Sequence, residues 1–361
     1  MDDVERLTRE LSAIPSHADE TAAGDLIERW LREETEASVE RDAAGNVIAR
    51  RGSGSGPRLA LVGHHDVVPP DEVQVEDGEY VIEERDGRLY GRGTADMKGS
   101  VAAAMCAFRE SDPACELVFA SFVGEETGGE GARYAIENGF SPEYAVVGEG
   151  STNYSGENVT DVVVAHKGRR GGRIVARGRA EHASRPEAGE NAIYRACDAI
   201  GLVRGMEAPT VSVFGHDLSG SVAVTGIDGG TAMNVIPERC EVTVDERTVP
   251  GEYLPLEDVE RFEGVEWEGE SDLPPMRCSD EGFANAVLDA AAGSQEAAPK
   301  LVTKPHATDA GRLARAGTAC VVCGAAEPGE AHTEGESVSV DVLERCYRIY
   351  RNVSESEYFI S

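Results

Sequence analysis

The sequence predicts an α/β fold with an open sheet, into which a smaller α+β unit is inserted. Apolar strands and amphipathic helices alternate through Ser151, and a run of strands with one helix interrupts this alternation until about Ser279. At 361 residues the chain is long enough for two domains. We expect a main domain of residues 1–167 and 273–361 around an inserted unit of residues 168–272.

The N-terminal elements follow from hydrophobic periodicity. DVERLTRELSAIP and ADETAAGDLIERWLREE have apolar residues at helical spacing. The next stretch, GNVIARRGSGSGPRLALVGHHD, indicates two strands joined by a Gly/Ser turn, either a hairpin or near neighbours. Helices DMKGSVAAAMCAFRES and GGEGARYAIENGF then alternate with strands CELVFASFVGEE and YAVVGEGS. In such a sheet, sites lie beyond the carboxyl ends of the strands.

The inserted unit begins near HKGRRGG, has a helix from about Asn191, and ends with a strand around GVEWEG. The polar, proline-bearing GESDLPPM is predicted to be the return linker. Helices DEGFANAVLDAAAG and DAGRLARAG, the strand TACVVCG and a last helix from about Val338 restore the α/β alternation.

Charge excludes two classes of partner. The chain has 67 acidic and 34 basic residues and a formal net charge of -33, so nucleic acid and anionic membranes would be repelled. Its only lysines are Lys98, Lys167, Lys300 and Lys304. An acidic surface with so little lysine favours a halophilic protein, since concentrated salt screens the self-repulsion. The alternative is an acidic cytosolic enzyme.

The chain has no apolar segment at its N-terminus or elsewhere that is long enough for a signal or a membrane span, which predicts a cytoplasmic protein. Its eight cysteines are mostly isolated, as expected of reduced thiols. Cys320 and Cys323 lie in an apolar run, so we expect a buried strand there and not a redox or metal pair.

The stretch LALVGHHDVVPP contains an apolar strand that ends in two imidazoles and a carboxylate. Strand alternation places His64 and Asp66 on one side and His65 on the other, where it would pack or cap. A histidine with a carboxylate two residues on is suited to bind a metal, with its tautomer fixed by a hydrogen bond. A polar turn would give the same pattern, so this stretch alone leaves both interpretations open.

Further acids and one histidine lie near the ends of predicted elements. They are Asp96 in GRGTADMKGS, Glu125 and Glu126 in FVGEETGG, Glu149 in VVGEGS and His332 in GEAHTEGE. One such group alone would indicate a helix cap or a solvated acid. Several carboxylates at one sheet edge are difficult to keep ionised without cations, so the set favours a metal site.

Five motifs occur in the order GHHDVVPP, LYGRGTADMKGS, GEETGG, VVGEGS and AHTEGE. In this order they resemble the motif set of the co-catalytic metallopeptidase family that includes succinyl-diaminopimelate desuccinylase, acetylornithine deacetylase, carboxypeptidase G and aminoacylase. The similarity runs over nearly the whole chain. It implies a mixed-sheet, zinc-peptidase-like catalytic domain with helices on both faces and an inserted dimerisation (lid) domain.

The resemblance implies a role for each residue at the predicted metal site. His64 and Glu149 would be terminal ligands of one ion, Glu126 and His332 those of the other, and Asp96 would bridge both. Two divalent ions, zinc or alternatively cobalt, would activate a water and polarise an amide carbonyl.

Further roles also come from the resemblance. Asp66 would orient His64, and Glu125 would be the general base that passes the water's proton to the leaving amine. The family also implies a cis peptide between Asp96 and Met97.

The inserted unit also matches its counterpart. His182 in AEHASRPEAGENAI corresponds to a histidine that reaches the partner subunit's site and binds the oxyanion, although in isolation it is more typical of a surface loop. Asn234 and Arg247 resemble contacts to a substrate carboxylate, for which a guanidinium is well shaped. Arg169 and Thr308 are further substrate-contact candidates. Desuccinylases have serine where this chain has Gly172, so succinyl specificity is not implied.

The expected function is removal of an acyl group, succinyl or acetyl, from an N-acyl amino acid in lysine or arginine biosynthesis, by a cytoplasmic homodimer. The first alternative is a dipeptidase or carboxypeptidase with the same chemistry. The second is a non-catalytic binding paralogue, which is disfavoured because the ligand and base positions are all present.

Overall fold

The computed structural model describes residues 3–52 and 56–360. The chain divides into two compact units. The first unit comprises Met1–Ala165, Met276–Lys304 and Thr308–Ser361, and the second comprises His166–Pro275 and Pro305–Ala307. Sequence analysis assigned residues 305–307 to the main domain. In the structure they group with the second unit.

The α-helices of the described chain are α1 Asp3–Ser12, α2 Thr21–Glu34, α3 Gly99–Glu110, α4 Glu130–Glu137, α5 Ala192–Arg204, α6 Glu281–Ala292, α7 Ala310–Arg315 and α8 Val340–Ser354. The strands as far as the second unit are β1 Ser38–Arg41, β2 Val47–Arg51, β3 Arg58–His64, β4 Val75–Glu76, β5 Glu79–Tyr80, β6 Glu83–Arg85, β7 Arg88–Tyr90, β8 Glu116–Phe122, β9 Tyr144–Val147 and β10 Val162–His166. The remaining strands are β11 Arg169–Arg177, β12 Glu181–His182, β13 Thr210–Val213, β14 His216–Ser219, β15 Ser221–Gly229, β16 Val235–Ile236, β17 Arg239–Arg247, β18 Val265–Leu273, β19 Met276–Arg277, β20 Leu301–Lys304, β21 Ala319–Val322 and β22 Ser337–Ser339.

A mixed sheet forms the centre of the first unit, with strand order β1-β2-β8-β3-β9-β21-β10-β19 and β20 paired to β10. Strands β8, β3, β9 and β21 are mutually parallel, whereas β1, β2 and β10 pair antiparallel. The predicted link between β2 and β3 is wrong as a hairpin, because β8 lies between them. The apolar strand β8 pairs with β2 on one side and with β3 on the other. The predicted Gly/Ser turn falls on residues 53–55, outside the described residues.

Both faces of this sheet are covered. Ala60 and Val62 of β3 belong to one core cluster with residues of α4 and α7, whereas α3 packs against β3 from the other face. Gly63 is required by this second contact, since a Cβ there would lie 2.7 Å from Val101 Cγ2 and 2.8 Å from Met97 Cε. The absence of a side chain lets the beginning of α3 approach the end of β3.

The second unit is built on an antiparallel sheet of order β15-β17-β11-β18. Helix α5 packs on one face of it, with Ala196 and Ala199 against Ile174 and Val242. The side chain of Asn191 accepts the backbone N–H of Ile193 and thereby caps the helix. The predicted beginning of this helix near Asn191 is confirmed.

Two simpler expectations are also met. All eight cysteines are free thiols, and Cys320 and Cys323 are buried at β21, as the apolar run predicted. Within residues 3–52 and 56–360, no helix is long and apolar enough to cross a membrane.

Candidate metal centre

Parallel pairing brings three of the predicted ligand segments together. Strand β3 runs parallel to both β8 and β9, so the carboxyl ends of all three strands lie at one edge of the sheet. His64 is the last residue of β3, Glu125 and Glu126 follow β8, and Glu149 follows β9. The sheet therefore delivers an imidazole and three carboxylates to one place.

Asp96 and His332 reach the same edge from a separate, three-stranded sheet of order β22-β7-β6. In it, Tyr90 of β7 is paired with Ser337 of β22, so the loop after β7 lies beside the loop before β22. Asp96 lies in a short, irregular helical turn, Thr94–Lys98, within the first connection, and His332 lies in the second. Sequence analysis did not predict this small sheet.

The side chains form two triplets that share Asp96: His64 with Asp96 and Glu149, and Asp96 with Glu126 and His332. Within each triplet, the candidate ligand atoms all lie within 4.8 Å of one another. His64 Nε2 is 3.3 Å from Asp96 Oδ1, and His332 Nε2 is 3.1 Å from Asp96 Oδ2. The two oxygens of Asp96 therefore face different imidazoles, as a bridging carboxylate requires.

The chemistry of the triplets fits divalent cations. Each offers one imidazole nitrogen and two carboxylates, a donor set that zinc accepts. Hydrogen bonds to Asp96 and Glu126 raise the pKa of His332 to about 10. Burial opposes the charged form of His64, but Asp66, Asp96 and Glu149 outweigh it and raise its pKa well above the ordinary value. The surrounding carboxylates thus favour positive charge at both triplets.

Asp66 connects the centre to the loop after β8. Its Oδ1 accepts the backbone N–H of Glu125 at 3.1 Å, and its Oδ2 accepts that of Glu126 at 2.9 Å. The Nδ1 of His64 lies 3.1 Å from the backbone oxygen of Asp66 and 3.3 Å from its Oδ1. Sequence analysis predicted the contact with His64. The two backbone contacts show that Asp66 also fixes the acids at positions 125 and 126.

Glu125 lies beside the first triplet without belonging to it. Burial raises the pKa of its carboxyl well above the ordinary value, and Glu149, Asp309 and Glu126 add to this effect. Asp309 is itself buried at the beginning of α7, and burial raises its pKa to about 7. No local sequence pattern points to Asp309, because it lies far along the chain from the other acids.

Three further charged residues support the centre and were also missed. Lys304 Nζ lies 3.3 Å from Glu149 Oε2. Glu336 Oε1 accepts the backbone N–H groups of Ala95 and Asp96, each at 3.1 Å, and its Oε2 accepts Arg92 Nη1 at 2.7 Å. Lys304, Glu336 and Arg92 are all buried. Arg92 and Glu336 lie within four residues of the predicted ligands Asp96 and His332, whereas no predicted strand or metal ligand lies next to Lys304.

The peptide between Asp96 and Met97 is cis, as predicted. His65 is fully buried, and its Nδ1 lies 2.8 Å from Ser121 Oγ, so it packs away from the two triplets as strand alternation indicated. Thr308 is buried just before α7, and its Oγ1 accepts the backbone N–H of Ala310.

The other predicted site residues belong to the second unit. His182 is exposed, with its Nδ1 2.7 Å from Ser184 Oγ, and Asn234 is exposed as well. Arg169 Nε and Arg247 Nε both donate to the carboxylate of Asp245, at 2.6 and 2.8 Å. The two arginines predicted to meet a substrate acid thus share an acidic partner within the chain.

The sequence profile of peptidase family M20/M25/M40 matches residues 60–356. An acetylornithine deacetylase of Myxococcus xanthus is 33% identical over 322 residues, which cover 83% of this chain and 80% of that protein. The chain belongs to peptidase family M20/M25/M40. It is therefore a metal-dependent hydrolase of the kind that includes deacylases and peptidases.

Solved structures show the same fold. Aminopeptidase PepT from Bacillus cereus superposes with a TM-score of 0.79 at 19% identity, over 97% of each chain. A dinuclear metal-binding peptidase of the M20 family from Bacillus subtilis gives a TM-score of 0.70 at 19% identity, over 97% of this chain and 96% of the other. The predicted α/β fold is confirmed.

Proposed function

We propose that this M20 protein is a dinuclear metal-dependent amidohydrolase that removes an acetyl or succinyl group from an N-acyl amino acid such as N-acetylornithine or N-succinyl-diaminopimelate. One observation carries the proposal: two His/carboxylate triplets share Asp96, and Glu125 lies beside them. The name of the Myxococcus xanthus relative supports the substrate class.

In the proposed centre, His64 and Glu149 would hold one ion and Glu126 and His332 the other, and Asp96 would be shared by both. Imidazole and carboxylate ligands suit zinc, and cobalt accepts the same set. When bound, the ions supply Lewis acidity toward the amide carbonyl and lower the pKa of water.

Glu125 is the proposed general base. Its carboxylate takes a proton from the attacking water and delivers it to the departing amine, so the proton count balances over one turnover. The backbone of Glu125 is held by Asp66 Oδ1, which limits movement of the base relative to His64. His182 is the proposed donor to the oxygen on which negative charge develops.

Substrate contacts are proposed for Asn234, Arg247, Arg169 and Thr308. Asp245 already accepts from both arginines, so a substrate carboxylate would replace or share that partner. This is feasible because Arg169 is exposed and Arg247 is partly exposed.

A turnover screen tests the function. The protein, loaded with zinc or cobalt in high salt, is incubated with N-acetylornithine, N-succinyl-diaminopimelate, other N-acetyl amino acids and simple dipeptides, and metal content is measured in parallel. We expect two ions per chain and release of the acyl group. Turnover of dipeptides with a free amino group, but of no N-acyl amino acid, would favour the dipeptidase alternative. Absence of any turnover with two ions bound would contradict the enzymatic proposal.

A homodimer formed through the second unit is proposed as the active species. Strand β15 is at the edge of its sheet and exposes Val224 and Ile227, a surface suited to pairing with a second copy. Because the resemblance assigns His182 to the partner's site, a mixture of inactive His182→Ala and Glu125→Gln chains should regain activity. No recovery, despite demonstrated subunit exchange, would refute the role of His182 in the partner's site.

A further inference from the structure

Lys304 is a buried cation next to one of the two triplets. It is the last residue of β20, and its side chain is only 8% exposed. Its Nζ lies 3.3 Å from Glu149 Oε2, and the Glu149 side chain is 12% exposed. A buried charge is stable only where it is paired, so this contact is a specific feature of the site.

The two oxygens of Glu149 have different partners. Oε2 contacts the ammonium of Lys304, whereas Oε1 lies 3.5 Å from His64 Nε2, on the side of the candidate ligand atoms. An oxygen that accepts from an ammonium has less electron density to offer a cation. Glu149 therefore presents one free oxygen to the triplet that it shares with His64 and Asp96.

We propose that Lys304 is a positioning residue that keeps Glu149 bound to its ion through one oxygen and lowers the affinity of the His64 site for that ion. The inference rests on the proposed dinuclear function and assigns a new residue to it. Binding through one oxygen of Glu149 leaves a ligand position of the ion open, and a catalytic metal site needs such a position for water or substrate. With both oxygens on the ion, Glu149 would occupy that position.

The key variant is Lys304→Met, which keeps the length of the side chain and removes its charge. The repulsion between Lys304 and a divalent cation disappears, and Glu149 is freed to bind through both oxygens. We expect the affinity of the His64 site to rise about tenfold or more, and kcat to fall about 10- to 100-fold, the usual range for a residue that supports a metal ligand. Lys304→Arg keeps the charge and should restore both values to within a few-fold of wild type.

The affinity is measured by calorimetric titration of the metal-free, full-length protein with Co²⁺, and the visible absorption of bound Co²⁺ reports the ligand number. Repeating the titration in a His332→Ala background leaves only the His64 triplet complete, so a change can be assigned to it. The matched control is Lys300→Met, which removes the same charge from an exposed position just before β20. If Lys304→Met does not fold, Lys304→Gln removes the charge while keeping a donor for Glu149.

Tighter Co²⁺ binding together with slower turnover supports the proposal. Weaker or unchanged binding in Lys304→Met, or tighter binding with unimpaired turnover, overturns it. A residue that only maintained the fold would lower affinity and turnover together. If the wild-type protein bound no pair of ions, the proposed function would fail; if it bound two and was active, only the role of Lys304 would be at issue.

Discussion

Strands β3 and β9 carry charged residues at both ends, but the two ends differ in burial. Arg58 is the first residue of β3, and Glu143 directly precedes β9. Their side chains are 36% and 48% exposed, and Arg58 Nε lies 3.0 Å from Glu143 Oε2. At the other end, His64 is the last residue of β3 and Glu149 follows β9. Their side chains are 2% and 12% exposed. The same pair of strands thus holds a solvated ion pair at one edge and the buried His64 imidazole with its neighbouring acids at the other.

The difference shows what burial adds to charge. Water and salt screen the pair at the beginning of the strands, so its contribution to stability is small. At the carboxyl edge, Asp96, Glu126 and Glu149 gather with little solvent around them, and their mutual repulsion must be balanced by cations. The carboxyl edge, where gathering these carboxylates costs free energy, is also the edge suited to catalysis. Substitutions there should therefore have larger effects than substitutions at the opposite edge.

The largest effect is expected from Glu125→Gln. Glutamine keeps the shape of the side chain but cannot accept a proton at neutral pH, so turnover should fall roughly 100- to 10,000-fold. Both metal ions should remain, because Glu125 belongs to neither triplet. Single-turnover kinetics and metal analysis of the same preparation measure the two effects.

Glu126→Gln is the matched comparison for Glu125→Gln, because it makes the same chemical change one residue later. It removes an anionic ligand and should weaken metal binding. Wild-type turnover in Glu125→Gln, or equal metal loss in both variants, would remove the distinction between base and ligand.

The next effect is expected from Glu336→Gln, which tests the small sheet that supplies Asp96 and His332. The variant leaves the buried Arg92 with Asp71 as its anionic partner, at 3.2 Å and with a side chain that is 49% exposed. The loss of folding free energy should therefore lie below the about 3–5 kcal/mol that breaking a fully buried pair typically costs. Urea unfolding of the metal-free protein measures this loss. Metal affinity should also fall, because Glu336 holds the backbone N–H groups of Ala95 and Asp96.

A double variant separates these two consequences. Arg92→Met combined with Glu336→Gln removes the buried cation that has lost its buried partner, so part of the lost stability should return. The loop at Asp96 still lacks its anionic acceptor, and metal affinity should stay low. Full recovery of both quantities would show that Glu336 serves only to neutralise Arg92.

Asp66→Asn should have an intermediate effect. An asparagine retains one oxygen, so its amide N–H₂ must face one of the two backbone N–H groups that Asp66 now accepts from Glu125 and Glu126. We expect about a 10- to 100-fold loss of metal affinity or activity, as is usual for partners of metal ligands. Asp86→Asn, at an exposed turn position, is the control and should leave both unchanged. An Asp66→Asn enzyme equal to this control would contradict the supporting role.

Some residues of this centre can be predicted from local sequence patterns, whereas others are placed there by long-range packing and cannot. His64 and Glu149 could be found because apolar strands end in polar residues, and parallel pairing places such ends together. The proximity of Lys304 to Glu149 and of Glu336 to Asp96 depends on long-range packing, for which the sequence has no periodic signal. The insertion of β8 between β2 and β3 was missed for the same reason.

The second unit shows the same limit. Arg169 and Arg247 were singled out for their chemistry, and each is suited to a carboxylate. The structure pairs both with Asp245, which lies on β17, the antiparallel neighbour of β11 and β15. Arg247 lies two residues from Asp245 on β17, so that contact follows from strand alternation. The contact of Arg169 with Asp245 depends on the register of β11 against β17, which the sequence does not reveal.

The smallest effect is expected at the opposite edge of the sheet, from Glu143→Gln. Hydrogen bonds from Arg58 lower the pKa of Glu143 from 4.5 to about 2. Because the folded state has the lower pKa, the stabilisation is complete above pH 4.5 and is lost as the pH falls through about 2. Exposure limits it to about 0.2–1 kcal/mol. Urea unfolding of wild type and Glu143→Gln should therefore show a small difference at pH 7 that vanishes near pH 2. At about 1 M salt, where the Debye length is only about 3 Å, the difference at pH 7 should shrink as well. A difference of several kcal/mol, or one that persists at low pH, would mean that the amino edge is not the solvated counterpart of the metal centre.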